Sequence, residues 1–372
     1  TALGVRKGAV EDMVAKALEL DFYAGKRVFV TGHTGFKGSW LCRMLLLSGA
    51  SVTGYALNPP TDPNLFDLAG IKGQIRHVIG DIRDFQALWE AFEEARPEIV
   101  IHMAAQPLVR DSYQNPAYTY ETNVMGTVNI LECIRKSQGV RSFLNVTTDK
   151  VYQNNEWEWG YRETDPLDGY DPYSNSKSCA ELVTHSYKSS FFSDGQVAIS
   201  TARAGNVIGG GDFAADRIIP DCVRAAAAKE EIIVRNPHST RPYQHVLEPL
   251  YADLMLSPGQ YQRVPRAGWD NVRPEYEDCV TTGTLVDSFC RQWGAGLEWK
   301  NVFVGGPHEA NFLKLDCSRL KTVFGWKPRW NVDTAISKTI QWTKAWLAGE
   351  GIAPLMDQQI AEFLENQGGV RG

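Results

Sequence analysis

A glycine-rich stretch near the N-terminus constrains the fold more than any other feature of this chain. The apolar run 26–31 has the pattern of a short buried strand, and an apolar helix is predicted to end near Leu47. Between them lies Gly32-His33-Thr34-Gly35-Phe36-Lys37-Gly38. A strand that enters such a turn and then a helix presents free N–H groups and a positive dipole end to a phosphate. We therefore predict that these seven residues bind a dinucleotide.

The pattern after this loop alternates strands and helices. Short apolar runs predict the strands, and amphipathic stretches between them predict the helices. The predicted strands cover 51–56, 76–80, 98–102, 143–146 and 197–202, and the predicted helices cover 83–95, 120–136 and 173–192. This alternation predicts an α/β fold, with a Rossmann doubly wound parallel sheet and a smaller mixed α/β C-terminal substrate domain.

Three parts are predicted along the chain. Residues 1–24 contain an amphipathic helix at 9–18, which is interpreted either as packing on the domain surface, as a partner contact or as a peripheral helix without a role. Residues 25–202 form the dinucleotide-binding Rossmann domain. In residues 203–372 the alternation breaks down, and these residues are predicted mainly to bind the substrate, with some segments returning to the first domain.

Three strand ends bear on the cofactor. The second strand ends at 57–60 with neither the acidic residue that binds ribose hydroxyls nor an Arg for a 2′-phosphate, so the residues alone leave NAD and NADP open. Asp81 either accepts a hydrogen bond from the adenine amino group or caps the helix that begins at Arg83, or does both. Ile82, next to it, is also a predicted cofactor contact. After the fourth strand, small residues let a cofactor lie against the backbone, and the predicted contacts there are Ala104, Ala105 and Gln106.

Two short stretches carry the residue types that chemistry needs. Thr148, Asp149 and Lys150 follow a buried-strand pattern, which places a hydroxyl, an acid and an amine at a strand end. Tyr173 and Lys177 lie four residues apart in a helical pattern, so their side chains share one face. An ammonium beside a phenol favours the phenolate, and we expect Lys177 to lower the pKa of Tyr173. We predict that these five residues form one catalytic constellation.

The loop 153–170 separates the two stretches. Long loops inside compact domains are more often functional than idle. Its aromatic residues either cover the substrate or anchor the loop, and they are Trp157, Trp159 and Tyr161.

Four arginines recur in segments with few acidic neighbours. Two interpretations stay open for them, a solvated surface and a clamp for a diphosphate group. The four are Arg203, Arg217, Arg235 and Arg241.

Composition argues against several classes of function. The formal net charge of -6 gives no general attraction to nucleic acid or to an anionic membrane surface. No apolar run approaches the ~20 residues that a bilayer-spanning helix needs. The seven cysteines form no CxxC pair and have no His at metal-ligand spacing, so we expect free thiols and no metal site. The N-terminus lacks the pattern of a secretory signal, and the cytoplasm is the predicted location.

Several motifs together resemble a known family. Gly32-x-x-Gly35-x-x-Gly38, Tyr173-x-x-x-Lys177 with Thr148 upstream, and Gly325-Trp326-Lys327-Pro328 resemble the extended short-chain dehydrogenases that act on nucleotide sugars. More narrowly, the stretches 31–38, 169–177, 205–212 and 245–250 look like those of the CDP-D-glucose 4,6-dehydratases. The pair Asp149-Lys150 points the same way, because the related dTDP-glucose dehydratases have Asp-Glu there and epimerases lack the pair.

The resemblance implies NAD as cofactor, a CDP-sugar as substrate, and a homodimer formed through two helices per subunit, or a dimer of such dimers. Tyr173 would take the proton of the sugar C4 hydroxyl, and Thr148 would hydrogen-bond the same oxygen. Lys150 and Asp149 would remove the C5 hydrogen and protonate the departing C6 hydroxyl, and the hydride would return to C6. Tyr173 and Lys177 would also contact the cofactor, and the substrate side would add Asn206 and Asn271 to the four arginines.

One segment departs from the family's pattern. In 268–274 the Asn of a Trp-Asn-Phe-Gly-Pro type turn is shifted to Asn271 and a Gly is missing, which bears on substrate affinity or base preference. The alternatives are another nucleotide-sugar 4,6-dehydratase or a 4-epimerase and, from a different class, an inactive dinucleotide-binding sensor or scaffold. The complete set of five catalytic residues argues against the last, because a binding protein does not need them.

Overall fold

The computed structural model describes residues 20–262, 267–294, 296–302 and 313–366. The amphipathic helix predicted at 9–18 lies outside these residues. The segment that follows it packs on the domain, since Leu20 and Tyr23 are fully buried and the Tyr23 hydroxyl donates to the Leu254 carbonyl over 2.9 Å.

Seven parallel strands form the central sheet. Its strands are β1 (Arg27–Thr31), β2 (Ser51–Ala56), β3 (Arg76–Ile79), β4 (Ile99–His102), β5 (Ser142–Thr148), β6 (Ala198–Ala204) and β10 (Trp269–Val272). They lie in the order β10-β6-β5-β4-β1-β2-β3, and every pairing is parallel. The order reverses between β1 and β4, which is where doubly wound sheets bind their ligands. The predicted α/β class and parallel sheet are confirmed.

Helices cover both faces of this sheet. They are α1 (Phe36–Leu47), α2 (Leu65–Leu68), α3 (Phe85–Ala95), α4 (Val109–Gln114), α5 (Pro116–Tyr120), α6 (Gly126–Lys136), α7 (Pro172–Phe191), α8 (Ile218–Ala228), α9 (Leu247–Gln262), α10 (Thr282–Trp293), α11 (Ser318–Phe324), α12 (Val332–Leu347) and α13 (Ile352–Glu365). Because successive strand residues point to opposite faces, Val28 and Val30 pack with α1, α9 and α13, while Phe29 packs with α3 and α6.

The C-terminal half builds two small sheets and completes the large one. One small sheet orders β11 (Cys279–Thr281), β9 (Thr240–His245) and β7 (Asn206–Ile208), and the other pairs β12 (Trp299–Asn301) with β8 (Ile232–Val234). Strand β10 returns to the central sheet and pairs with β6. Within the described ranges, no helix is long and apolar enough to cross a membrane.

Candidate active site

The carboxyl end of β5 carries the first catalytic stretch. Thr148 is buried, and its hydroxyl donates to Asp149 Oδ1 over 3.0 Å. Thr148 Oγ1 also accepts the Lys150 backbone N–H at 3.4 Å, and this hydrogen bond caps the short 3₁₀ turn Asp149–Val151. The Lys150 ammonium lies 3.9 Å from Asp149 Oδ1. A hydroxyl, a carboxyl group and an amine are thereby held within one turn of chain.

Helix α7 presents the second stretch to the first. Asp171 caps its N-terminus by accepting the Ser174 N–H over 3.0 Å, and Pro172 occupies the first turn, where a missing N–H costs nothing. Tyr173 and Lys177 both lie on the buried face of this helix. The Tyr173 phenol hydrogen-bonds to Thr148. The structure thus brings the five predicted catalytic residues together, with a hydrogen-bonded path from Tyr173 through Thr148 to Asp149.

The electrostatics of Tyr173 differ from the sequence-based expectation. Burial raises the pKa of Tyr173 to about 12, and the Asp149 charge adds to this effect, while the Thr148 hydrogen bond and the Arg217 charge act against it. The Lys177 ammonium instead donates to the Val146 carbonyl over 3.4 Å. In the chain itself the phenol is therefore protonated, because desolvation outweighs the nearby cations.

The glycine-rich loop packs closely against neighbouring backbone and leaves the N-terminus of α1 without a side-chain cap. Gly32 has φ +77, and a Cβ there would lie 2.7 Å from the Ala104 backbone nitrogen. A Cβ on Gly38 would lie 2.2 Å from the Gly32 carbonyl oxygen, so the loop, the strand end and the helix are in backbone contact. No side chain caps α1 at Gly35, and its first turn contains no acidic residue. Its N-terminal N–H groups and positive dipole end therefore fit the pyrophosphate of a dinucleotide.

Two side chains of this loop hold it in place. The His33 ring is fully buried, and its Nε2 lies 2.6 Å from His77 Nδ1. The Thr34 hydroxyl donates to the Leu57 carbonyl over 2.9 Å. The His33 ring packs beside Gly54 inside the domain, so a contact of His33 with the cofactor would have to come from its backbone. Phe36 packs against the core, and the side chain of Lys37 is partly exposed at the helix start.

Asp81, after the end of β3, does not cap the following helix as one interpretation of the sequence predicted. Helix α3 is capped by Asp84, which accepts the Ala87 N–H over 3.1 Å, so Asp81 is not the cap. The Asp81 carboxylate instead accepts from the Arg83 guanidinium at 2.7 Å, and this hydrogen bond holds its pKa below the usual range. The Ile82 side chain is buried in the core, which leaves its backbone for any cofactor contact.

The segment after β4 contains both half-buried and buried residues. Ala104 and Ala105 are half-buried, as a surface beside a cofactor requires. Gln106 is buried, and its amide donates to Thr119 Oγ1 over 2.9 Å while its carbonyl accepts the Leu108 N–H. The Gln106 side chain therefore already has partners within the protein. Asn123 ties this segment to α7, since its side-chain amide donates to the Gln106 backbone carbonyl and to Ser176 Oγ.

Two predicted substrate residues are buried in the structure. Arg203 has no exposed surface and donates to Glu181 through Nε and Nη2, at 2.9 Å each, and to the Tyr152 hydroxyl at 2.7 Å. Asn271, also fully buried, accepts from Tyr152 and donates to the carbonyls of Tyr161 and Asp316. Neither side chain has exposed surface for a contact with substrate. They join β6 and β10 to the loop 153–170.

The other substrate candidates lie around the C-terminal sheets. Arg217 pairs with Asp212 over 3.0 Å, and its charge acts on both Tyr173 and Lys37, which places it beside the site. Arg235 is partly exposed and pairs with Asp216 over 2.7 Å. On neighbouring strands, Arg241 is buried in β9 and Asn206 is half-buried in β7.

The loop between the catalytic stretches is anchored by a stack of rings. Tyr161 stacks on Tyr152 with ring centroids 5.2 Å apart, and Trp157 stacks on Tyr161 at 5.3 Å. These contacts support the anchoring interpretation for Trp157 and Tyr161. Trp159 is 72% exposed.

The sequence interpretation missed Glu181. It is fully buried and accepts hydrogen bonds from Thr147, Thr201 and Arg203. The spacing of Glu181 could have identified it, because it lies four residues after Lys177 and eight after Tyr173 and therefore shares their helix face. A charged residue in a stripe that is otherwise buried requires partners.

Sequence comparisons relate this chain to nucleotide-sugar dehydratases. The profile of the family described as GDP-mannose 4,6 dehydratase matches residues 29–264. A protein of Salmonella typhimurium named CDP-glucose 4,6-dehydratase is 47% identical over 93% of this chain and 98% of its own length. A probable dTDP-glucose 4,6-dehydratase of Sinorhizobium fredii is 28% identical over 85% of this chain and 92% of its own.

Solved structures share the fold. A dTDP-glucose 4,6-dehydratase from Bacillus anthracis, in complex with NAD, superposes with a TM-score of 0.72 at 22% identity, over 88% of this chain and 99% of that one. A UDP-glucose 4-epimerase from Thermus thermophilus, also in complex with NAD, gives a TM-score of 0.75 at 23% identity. The match covers 86% of this chain and 99% of that one.

Proposed function

Because this chain belongs to the GDP-mannose 4,6 dehydratase family, we propose that it is an NAD-dependent hydro-lyase that converts CDP-D-glucose into CDP-4-dehydro-6-deoxy-D-glucose. The observation that carries the proposal is the arrangement of Asp149 and Lys150 beside Thr148 and Tyr173 at one strand end. Oxidation alone needs a base and a hydroxyl, whereas elimination of water needs a further acid and base. The 47% identity to a CDP-glucose 4,6-dehydratase supports the choice of nucleotide.

Tyr173 and Thr148 act at the sugar C4 hydroxyl. The C4 hydroxyl proton passes to the Tyr173 phenolate oxygen, and Thr148, which adjoins Tyr173 in the structure, would hydrogen-bond the same sugar oxygen. A phenol whose pKa is about 12 requires nearby positive charge to act as a base near neutral pH. Arg217 already lowers this pKa, and a bound nicotinamide cation would add to its effect.

Lys150 and Asp149 carry out the elimination. A ketone at C4 acidifies the C5 hydrogen, which Lys150 removes as a proton while Asp149 protonates the departing C6 hydroxyl. Asp149 is almost fully buried, so it is shielded from water, and Lys150 keeps a quarter of its side chain exposed. The carbon–oxygen bond at C6 breaks, water leaves, and C5 regains a proton when C6 is reduced.

The cofactor is held by the N-terminal loop. The backbone of Gly32, Gly35 and Gly38 fits the pyrophosphate, Ala104 and Ala105 form the floor, and Tyr173 with Lys177 lies at the reacting end. When bound, NAD would supply the hydride acceptor for oxidation at C4 and the hydride donor for reduction at C6, so that it would not be consumed.

The substrate diphosphate is held from the C-terminal half. Arg217, Arg235, Arg241 and Asn206 are the proposed contacts, and Arg217 is supported most directly because its charge reaches Tyr173. This assignment keeps the predicted division of labour between residues 25–202 and 203–372. It also fits a nucleotide sugar that spans the two parts.

The protein's assembly is proposed as a homodimer, through α6 and α7 of each subunit. Exposed apolar side chains on and beside these helices, Met125 and Leu182, support this surface. All seven cysteines are free thiols, which supports a reducing compartment such as the cytoplasm.

A single assay tests the activity. The protein is incubated with NAD and, separately, with CDP-, dTDP-, UDP- and GDP-glucose, and the alkali-induced absorbance of a 4-keto sugar is followed. We expect product from CDP-glucose at a rate at least tenfold above the others. No keto sugar from any of them would exclude a dehydratase, and recovery of a C4-inverted sugar instead would identify a 4-epimerase.

A further inference from the structure

A buried carboxylate joins the two catalytic stretches. Glu181 lies on α7, one turn beyond Lys177, and its side chain has no exposed surface. It accepts the Thr147 hydroxyl over 2.5 Å. From the same helix, the Lys177 ammonium donates to the Val146 carbonyl over 3.4 Å. Helix α7 therefore holds two successive residues of β5 immediately before Thr148.

The same network reaches the far side of the catalytic turn. Arg203 bridges Glu181 to the Tyr152 hydroxyl, with distances of 2.9 and 2.7 Å, and Tyr152 donates in turn to Asn271 over 2.7 Å. Tyr152 follows directly after the 3₁₀ turn Asp149–Val151. The catalytic turn is thus fixed on its N-terminal side by Thr147 and on its C-terminal side by Tyr152, and both connections converge on one carboxylate.

We propose that Glu181 is a positioning residue, which fixes the strand end bearing Thr148, Asp149 and Lys150 against the Tyr173 helix and sets its negative charge toward the Lys177 ammonium. Glu181 itself touches neither substrate nor cofactor, since it is fully enclosed by protein. The inference rests on the proposed function, because it concerns the geometry and charge of that same site.

The charges around Lys177 come from several elements. Lys37 faces it from the start of α1, His102 faces it from β4, and Glu181 and Tyr173 share its own helix. Burial and the Lys37 charge lower the pKa of Lys177 to about 8, and Glu181 acts in the opposite direction. Loss of the Glu181 charge should therefore lower the pKa of Lys177 further.

Glu181 stays ionised because of its own partners. Burial acts to raise its pKa, but the Arg203 guanidinium, the adjacent His185 ring and the Thr147 hydroxyl hold it at about 2. The His185 Nε2 atom lies 3.3 Å from the carboxylate, and Thr201 donates to it from β6 over 2.7 Å. The charge that faces Lys177 is consequently present across the whole range in which the enzyme would work.

A matched pair of variants tests the positioning. Thr147→Val and Thr201→Val each remove one hydroxyl that donates to Glu181, with nearly unchanged volume, but only Thr147 adjoins the catalytic turn; Thr201 lies in the middle of β6. We expect Thr147→Val to lower kcat about tenfold with KM within twofold, and to speed hydrogen exchange in peptides covering 146–152. Thr201→Val should leave both readouts within twofold of wild type. Equal effects of the two variants, or none, would overturn the positioning role.

A second measurement tests the charge. In wild type, kcat should fall on the alkaline side as Lys177 loses its proton near pH 8. Glu181→Gln should move this limb to lower pH, and Glu181→Asp, which keeps the charge, should leave it in place although the rate falls. An unmoved limb in Glu181→Gln would refute the charge effect. If that variant does not fold, the threonine pair still decides the positioning.

Failure of the activity is distinguishable from failure of this inference. If wild type forms no keto sugar from any nucleotide sugar, the proposed function is wrong. The hydrogen-exchange rates of peptides covering 146–152 in the two threonine variants would still test the positioning role. If wild type is active and the variants behave alike, only the role of Glu181 is wrong.

Discussion

Asp149 and Lys150 are adjacent in sequence but lie in different surroundings. The Asp149 side chain is 2% exposed and fixed by the Thr148 hydroxyl, while the Lys150 side chain is 26% exposed. A fixed acid suits protonation of a departing oxygen at one defined point. An amine with some exposure suits a base that must reach a carbon-bound hydrogen and then exchange its proton with solvent.

Replacing Lys150 should separate elimination from oxidation. We expect Lys150→Ala to lower the rate of formation of the 4-keto-6-deoxy product about a thousandfold. No other lysine lies within one turn of Lys150 in the chain to replace it as the base for the C5 proton. Product made by wild type in D₂O should carry deuterium at C5, and the variant should incorporate almost none over the same time. The exposed Lys72 serves as control, and Lys72→Ala should match wild type. Unchanged turnover in Lys150→Ala would show that another group is the C5 base.

At the scale of elements, the junction of β1 and α1 depends on backbone contact. Gly32 adopts a left-handed conformation and lies directly against the backbone at Ala104, and α1 begins with uncapped N–H groups. The helix end is therefore open where an anion fits, and the loop has no space for a side chain where it meets β4.

Gly32→Ala should disrupt this junction more than a glycine replacement elsewhere. Gly70, at the end of α2, also has a positive φ of +61, but a Cβ there would have no neighbour within 4 Å. Both alanine variants should lose about 1 kcal/mol for the left-handed backbone. Only Gly32→Ala should also push the Ala104 backbone away and weaken NAD binding at least tenfold. Thermal unfolding and titration calorimetry measure the two effects, and equal NAD affinity in both variants would contradict this account.

At the scale of the whole molecule, C-terminal residues complete the first domain. Helices α9 and α13 pack on the same sheet face as α1, and β10 extends the sheet beyond β6. A bidentate pair between Arg43 and Asp357, both buried, ties α1 to α13 at 2.5 Å. We therefore expect the described parts to unfold together rather than as independent units.

A buried acid makes the stability of this assembly depend on pH. Glu248, at the start of α9, accepts the backbone N–H groups of Arg329 and Trp330, and burial raises its pKa to about 8. Between its ordinary value near 4.5 and pH 8, the folded chain holds a proton that the unfolded chain has lost. Stability from this group is therefore complete below pH 4.5 and falls as the pH rises to 8, by a few kcal/mol at most.

Glu248→Gln should remove that slope. Glutamine keeps the oxygen that accepts both N–H groups but has no proton to lose. We expect the free energy of unfolding of the variant, relative to wild type, to increase between pH 5 and pH 8.5, as measured by urea titration at each pH. A constant difference across this range would show that Glu248 does not titrate in the folded chain.

Several features of this protein can be predicted from local spacing along the chain alone. The strand, glycine-rich turn and helix at 26–47, the parallel α/β class and the grouping of Thr148, Asp149, Lys150, Tyr173 and Lys177 all follow from residues close together in the chain. Parallel strands bring their carboxyl ends to one edge, so a hydroxyl or carboxyl group after such a strand lies at the site wherever the rest of the chain goes.

Which polar side chains remain available to a ligand depends instead on how distant segments pack together. Arg203, Asn271, Gln106 and His33 have the residue types of a binding site, yet each is buried against partners, some of them distant in sequence. Asn271 meets Tyr152 across 119 residues, for example, and Arg203 meets it across 51. A buried polar group must be paired, and its partner comes from whichever segment the packing brings near, which local spacing does not encode. The same long-range pairing made Glu181 the centre of the site's support.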